Sequence, residues 1–360
     1  MAALATARSQ PGLVSPLWSR LMRSWLQTLR RTDLALVLTG AALALTWWGA
    51  IGSSRQRPAL PTAQVVDYGH FQPDRRFPEK PPRMGAPVIA PAASDVAGDE
   101  LVLGVEIGLA SRAYPLNMLS GPDHECLNDE LGGEAIAVTW CDFCHDGIVY
   151  SRDLDGQRLT LVVSGFLWEY SMVLIDAETR SLWTQVAGRA LRGPLTGKSL
   201  NRLPATITTW ANWRALHPTT DVINLPRERE LFRRDYQHQR ERFVIGFEHQ
   251  GAAAHARFDR LASGRVVNFE VADFPLVTTY DDDATAARVF HRVIRDRVLS
   301  FAPAAQGTMF DRETNSTWNA ATGLCTAGPL VGSRLAQQPA IVAYTQVWKA
   351  FFPQSRDFSP

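Results

Sequence analysis

The chain has 360 residues, 46% of them hydrophobic and 20% charged, with 37 basic against 36 acidic side chains. That globular composition excludes wholesale disorder, and a net charge of +1 excludes a general nucleic-acid binder, which needs a basic excess. Four cysteines are too few for a disulfide-built scaffold, and a single long apolar run excludes a multi-span transporter.

In chain order, residues 1–33 form a basic segment: Arg8, Arg20, Arg23, Arg30 and Arg31 precede the first acid, Asp33. Residues 34–54 (LALVLTGAALALTWWGAIGSS) carry no charge, and a helix of that length spans about 30 Å, the thickness of a hydrocarbon core. Leu34 and Leu45 belong to its apolar body, and Trp47 and Trp48 fall where indoles favour the outer interface. The basic lead predicts a single-pass inner-membrane anchor with its N-terminus in the cytoplasm and the bulk of the chain periplasmic. A cleaved signal peptide would have a shorter basic lead and an apolar stretch of about 7–15 residues. Residues 55–97 read as a Pro-rich extracytoplasmic linker, with Pro58, Pro61, Pro73, Pro78, Pro81, Pro82, Pro87 and Pro91 favouring extended chain with few ladder donors.

The exported part contains a repeat. Residues 176–218 align without a gap on residues 311–353, and 16 of the 43 positions are identical. Trp183 and Trp318 are matched core anchors, and Gly193 and Gly328 open matched Gly-Pro-Leu bends. Upstream, VLGVEIG from Val102 resembles VIGFEHQ from Val244, and VTWCDFCHDGIVYSR from Val138 lies over TTYDDDATAARVFHR from Thr278. Copy 1 is placed at 98–225 and a degenerate copy 2 at 240–360, joined by a charged connector at 226–239. EAIAVTW, IVYSR and MVLID read as strands, Asp155-Gly156 as a hairpin turn, and TTWANWRAL as the best helix. VFHRVIRDRVLSF has a helical pattern, but its alignment with the first hairpin makes it strand. The predicted class is α+β, antiparallel-sheet dominated: two pseudo-symmetric copies of one unit behind a single transmembrane helix.

AYPLNML, HECLND, AVTWCDFCHDGIVYSR, the Ser-Gly of LTLVVSGFLWEYSMVLID, SLWTQ and GPLTG together resemble the bacterial family catalogued as domain of unknown function 3179. The resemblance covers about residues 98–355. It implies shared fold and no established activity. The chain departs from the family pattern at Asp142, where proline is usual, at His145, where glycine is usual, and in the bulky Phe166-Leu167-Trp168-Glu169-Tyr170.

His124, Cys126, Cys141, Cys144 and His145 are ligand-capable groups within 22 residues, and copy 2 has Gly264, Val266, Asp281, Ala284 and Thr285 at the aligned positions. A cluster confined to one copy points to a site rather than to architecture. Cys141 and Cys144 leave one strand and re-enter another, a knuckle suited to a transition metal such as Zn or Cu, with His124, Cys126 or His145 as further ligands. No helix pattern follows Cys144, which disfavours thioredoxin-like chemistry; a disulfide or buried inert thiols are the alternatives. Cys141 to His145 spells Cys-x-x-Cys-His, the haem-attachment pentapeptide, but it sits inside a strand-rich repeat and haem is not expected. Asp129-Glu130 and Asp281-Asp282-Asp283 read as solvated turns, Cys325 as packed, and no nucleophile elbow or other catalytic constellation is present. The expectation is a non-enzymatic accessory or structural subunit in contact with membrane lipid and an integral membrane protein complex. The alternative is a metal-binding or thiol-redox protein using Cys141 and Cys144. No nucleic-acid partner is expected.

Overall fold

Glycine turns and short β-branched or aromatic runs recur along the chain, and they fold into meanders. The computed structural model describes residues 70–84, 88–89, 95–120, 123–227, 236, 238–305 and 307–360. The basic lead and the predicted membrane helix, including Leu34, Leu45, Trp47 and Trp48, lie outside the described residues, as does most of the charged connector. Among the described residues no helix is long and apolar enough to cross a membrane.

Copy 1 begins with an antiparallel hairpin, β1 (Leu101–Ile107) and β2 (Ala110–Pro115), followed by the short helix α1 (Leu116–Leu119). A meander of β3 (Cys126–Leu131), β4 (Glu134–Cys141) and β5 (Asp146–Ser151) comes next, and then one of β6 (Leu161–Trp168), β7 (Ser171–Asp176), β8 (Leu182–Thr184) and β9 (Ala190–Arg192). Strand β10 (Ala205–Thr209) returns to pair antiparallel with β1. Helix α2 (Trp210–Leu216) follows, with the Thr209 hydroxyl capping the Asn212 amide.

Copy 2 repeats the plan. A hairpin of β11 (Phe243–His249) and β12 (Ala252–Arg257) leads into helix α3 (Phe258–Gly264). The meander β13 (Val266–Val271), β14 (Phe274–Asp281) and β15 (Ala286–His291) follows. The second meander is β16 (Phe301–Pro303), β17 (Thr308–Asp311), β18 (Thr317–Asn319) and β19 (Cys325–Ala327). The return strand β20 (Ile341–Tyr344) pairs with β11 and runs into α4 (Thr345–Phe351). The segment from Val289 to Phe301 is strand, turn and short connecting residues with no helix, as its alignment with copy 1 required.

The residues shared by the copies make the same bonds. The indole N–H groups of Trp183 and Trp318 donate to Asp176 and Asp311 at 2.9 and 2.8 Å, and both rings are fully buried. Asn128 and Asn268 each clamp the backbone of a facing strand, at Leu161 and Phe301. Arg152 and Arg292 donate to a matched pair of backbone carbonyls, Ile136 and Leu159 in copy 1 and Leu276 and Leu299 in copy 2. Gly193 and Gly328 hold φ of +105° and +96°, with Ser181 and Ser316 packed where a Cβ would stand, so glycine is required at both bends. The copies also reach into each other by matched bonds: Thr209 N–H donates to the Ala284 carbonyl at 3.1 Å, and Tyr344 N–H to the Cys144 carbonyl at 3.3 Å.

Two expectations need correction. The described part of the Pro-rich linker is laced into the body. Asp74–Arg75 pairs antiparallel with β6, Arg83–Met84 parallel with β3, and Val88–Ile89 antiparallel with Asp221–Ile223. Proline spares enough donors for two-residue ladders, because edge pairing uses only alternate N–H groups. Asp129 is no solvated turn either. It lies in β3, 8% exposed, and accepts hydrogen bonds from Arg112 and Tyr114, both at 2.8 Å.

Candidate functional site: a buried thiol–carboxylate cluster beside an apolar cleft

Strand β4 delivers Cys141 and strand β5 opens at Asp146, directly paired with it across the ladder. The turn between them carries Cys144. His145 completes the turn at φ +50°, which explains why glycine suits this position in the resembled family; Thr285 takes φ +55° at the same place in copy 2. The knuckle is braced by the connector and by copy 2. The His145 carbonyl accepts from the Tyr236 hydroxyl at 2.7 Å, and its ring packs against Trp140, Tyr236, Phe243 and Tyr344.

The ligand atoms of Cys141, Cys144 and Asp146 all lie within 4.8 Å of one another, and all three residues are buried. The four cysteines stand as free thiols. Neither carboxylate oxygen of Asp146 has a hydrogen-bond partner among the described residues. Burial pushes its pKa up to about 7; the Cys144 thiol and the Gln185 side chain face it and pull the other way. The Gln185 amide meanwhile donates to Thr139 at 3.1 Å. Burial likewise lifts the Cys144 thiol well above the usual range, with Cys141 and Asp146 adding to the effect. A buried acceptor left without donors costs on the order of 1–3 kcal/mol, so this cluster is expensive to keep unless a cation compensates it.

The other predicted ligands go elsewhere. His124 is buried, with Nδ1 at 2.8 Å from the Met118 carbonyl. The Cys126 thiol donates to the Leu161 carbonyl at 3.3 Å, and burial pushes its pKa up to about 12. His145 belongs to the aromatic brace. Nearness in sequence suggested these three, but the structure spends them on turns and packing. Asp146 is the member that ligand-type spacing alone does not single out; its signal is its place as the first strand residue after the knuckle, directly opposite Cys141 in the ladder.

Cys141 also borders a cleft of about 610 Å3. Phe166, Leu167, Met172, Val163 and Trp140 supply its apolar wall, and Phe77 and Phe143 stack at 5.9 Å on its rim, 44% and 56% exposed. Lys80 and Glu125 form an ion pair of 2.5 Å in the same cleft. Burial raises the Glu125 pKa, and Lys80 opposes the rise. The linker supplies this side: Arg76 and Phe77 N–H groups donate to the Gly165 carbonyl, and Lys80 N–H to that of Val163. Gly165 sits at φ +79°, and a Cβ there would stand 2.1 Å from the Phe77 carbonyl oxygen. The Ser-Gly of β6 is therefore a crossing point for the linker.

Copy 2 has the same frame without this chemistry. Asp281, Ala284 and Ala286 stand where Cys141, Cys144 and Asp146 stand in copy 1, and the other conspicuous charge is a buried Arg288 in place of Ile148.

Fold and site together define a duplicated, strand-dominated protein with antiparallel meanders and a thiol–carboxylate cluster in the first copy only. The chain belongs to the family described as protein of unknown function DUF3179, whose model matches twice, over residues 80–240 and 233–355. No curated protein and no solved structure matches the chain.

Proposed function

We propose that this is a membrane-tethered, extracytoplasmic metal-binding protein without catalytic machinery of its own, acting as an accessory subunit of a larger membrane complex. The observation that carries the reading is the Asp146 carboxylate, wholly buried, without hydrogen-bond partners and within 4.8 Å of two thiols. Two thiolates and a carboxylate suit Zn or Cu. A tetrahedral zinc site with bonds of about 2.3 Å spaces its ligands roughly 3.8 Å apart, so closure by an ångström completes three of four positions. Of the three, Cys141 is the one that borders the cleft.

The two copies are read as a pseudo-twofold pair, an arrangement supported by the reciprocal Thr209–Ala284 and Tyr344–Cys144 bonds. In this reading the tether is residues 34–54, and the arginines that precede it in the sequence support a periplasmic body.

The test is elemental analysis and thiol counting on protein purified from its membrane without chelator. About one equivalent of Zn or Cu per chain, lost in Cys144→Ser and in Asp146→Asn, is expected. Metal-free protein with Cys141 and Cys144 recovered quantitatively as a disulfide would overturn the metal reading and favour the thiol-redox one. Blue-native electrophoresis of mild-detergent extracts addresses the complex, and migration at monomer mass alone counts against it. Protease added to intact spheroplasts addresses orientation: residues beyond the tether should be cleaved, and their survival until permeabilisation would reverse it.

A further inference from the structure

Arg288 lies inside β15, 3% exposed, at the position where copy 1 has Ile148. Among the described residues its guanidinium has no ion pair and no hydrogen bond, and Nη2 is buried without a partner. A guanidinium is all donor, so a buried one without acceptors is a costly arrangement. Burial pulls its pKa down to about 10; Asp281, beyond ion-pairing distance, is the charge that opposes this.

On one flank Arg288 borders a cavity of about 230 Å3 between the copies. Glu106, Thr206 and His217 of copy 1 and Arg334 and Gln337 of copy 2 share its wall. The one carboxylate among these groups is already engaged: Glu106 lies 3.0 Å from Arg334 and 3.8 Å from His217. Gln337 Nε2 donates to the Thr206 hydroxyl oxygen at 3.0 Å, which leaves that hydroxyl's hydrogen to be donated. The cations converge closely enough to act on one another. Burial first, and then Arg288 and Arg334, hold the His217 pKa down, against the pull of Glu106. Two guanidiniums against one carboxylate leave the cavity with an unspent positive charge, and the neutral His217 imidazole and the Thr206 hydroxyl add spare donors.

We propose that this cavity is a binding site for a small oxyanion, with Arg288 as its principal anchor and Arg334, His217 and Thr206 completing the shell. Guanidinium is suited to this because its planar fork matches phosphate and carboxylate oxygens two at a time. Such an ion would be held by groups from both copies and would bind the duplicated body together. The site is independent of the thiol–carboxylate cluster.

On its other flank Arg288 borders a second cavity, of about 310 Å3, lined by Asp281, Asp282 and Asp283. Asp282 is engaged there by Arg240 at 2.8 Å. The competing role for Arg288 is thus a counter-charge for Asp281, and the experiment separates the two. Thermal melting of the full-length protein is followed as potassium phosphate is titrated against potassium chloride at matched ionic strength, with sodium sulfate and sodium acetate as parallel arms. A saturable rise in Tm with phosphate or sulfate marks a tetrahedral oxyanion as the ligand; a rise with acetate alone marks a carboxylate. Arg288→Ile, which installs the residue of copy 1, should melt no lower than wild type in anion-free buffer and should lose the response. Arg334→Ala should weaken it. The proposal fails if no anion gives a saturable rise, or if Arg288→Ile keeps the full response. It also fails if Arg288→Ile lowers the anion-free Tm and Asp281→Asn restores it, because Arg288 then serves Asp281.

Discussion

Copy 1 and copy 2 share a frame and differ in what they keep inside it. The Trp–Asp, Asn-clamp and Arg–carbonyl bonds recur at matched positions, whereas the knuckle holds two thiols and a carboxylate in one copy and Asp281, Ala284 and Ala286 in the other. Copy 2 shows that the frame folds without the thiols. The cluster in copy 1 is therefore free to have been shaped by something other than folding, which is the physical ground for reading it as a site.

That comparison can be broken most decisively at the anchors. Trp183 packs in the main core, and Trp318 in a smaller cluster with Val277, Phe290, Leu299, Phe301 and Met309. Trp183→Ala and Trp318→Ala should each cost about 3–5 kcal/mol by urea denaturation. A Trp318→Ala variant as stable as wild type would mean that the frame of copy 2 is ornamental.

Next in size are the glycines that let an indole lie on the neighbouring strand. A Cβ on Gly104 would stand 2.3 Å from Trp213, and one on Gly246 would stand 2.5 Å from Trp348. Gly104→Ala and Gly246→Ala should each lose about 1–3 kcal/mol in the same assay, because each indole must shift to admit the methyl group; Gly104 and Trp213 border the 230 Å3 cavity, so the loss there should be the smaller. Unequal losses would sharpen the comparison by showing which copy is the stiffer.

A third test exchanges the chemistry. Asp146→Asn removes a buried charge and should stabilise metal-free protein by roughly 1–3 kcal/mol while abolishing metal uptake. Ala286→Asp places a carboxylate at the matched site in copy 2, without thiols, and should destabilise by a similar amount. Calorimetry on chelator-treated samples reads both. A loss of stability in Asp146→Asn would make the carboxylate structural.

The smallest effect is in pH. Burial is the main cause that holds His217 and His255 below the ordinary imidazole value of 6.5. The unfolded chain then binds protons that the folded chain refuses, so stability is fully present above pH 6.5 and declines as pH falls through the lowered folded values. The Asp146 carboxyl, raised to about 7, titrates in the same window with the opposite sign, so the loss is read in an Asp146→Asn background: urea midpoints there should fall between pH 7.5 and 5.5, and the fall should shrink when His255→Gln is added. A flat profile in that background would mean that neither ring is held below its ordinary value.

The duplication was legible in sequence because its anchors are large or conformationally special. Trp183, Trp318, Gly193 and Gly328 have few substitutes, so their spacing survives divergence. The alignment also corrected periodicity: VFHRVIRDRVLSF has a helical pattern, but its counterpart IVYSRDLDGQRLTLV contains a hairpin turn at Asp155-Gly156, and strand was the right reading. The site was half legible. Cys141 and Cys144 stood out by spacing, but an aspartate after a turn reads as solvated, and the groups that face Asp146 include Gln185, which arrives from the turn after β8, 39 residues further along the chain. Asp129 was misread for the same reason, since its partners Arg112 and Tyr114 arrive from another hairpin. His124 and Cys126 were grouped with the thiols by chain proximity, which does not determine where a side chain points.

The route of residues 74–84 has a mechanical consequence. The segment that enters the body is stitched first to β6 and then to β3, and between those stitches it forms one lip of the 610 Å3 cleft. Tension arriving along the chain ahead of residue 70 would meet Phe71 first, a core ring packed edge-on against Trp168 with the Arg192 guanidinium over its face. Only past it lie the two-residue pairing with β6 and the Gly165 crossing, which are short edge contacts. Phe71 thus acts as a stop that shields the lip beside Cys141 from strain in the preceding chain, and loss of that one ring would pass the load to Phe77 and Lys80.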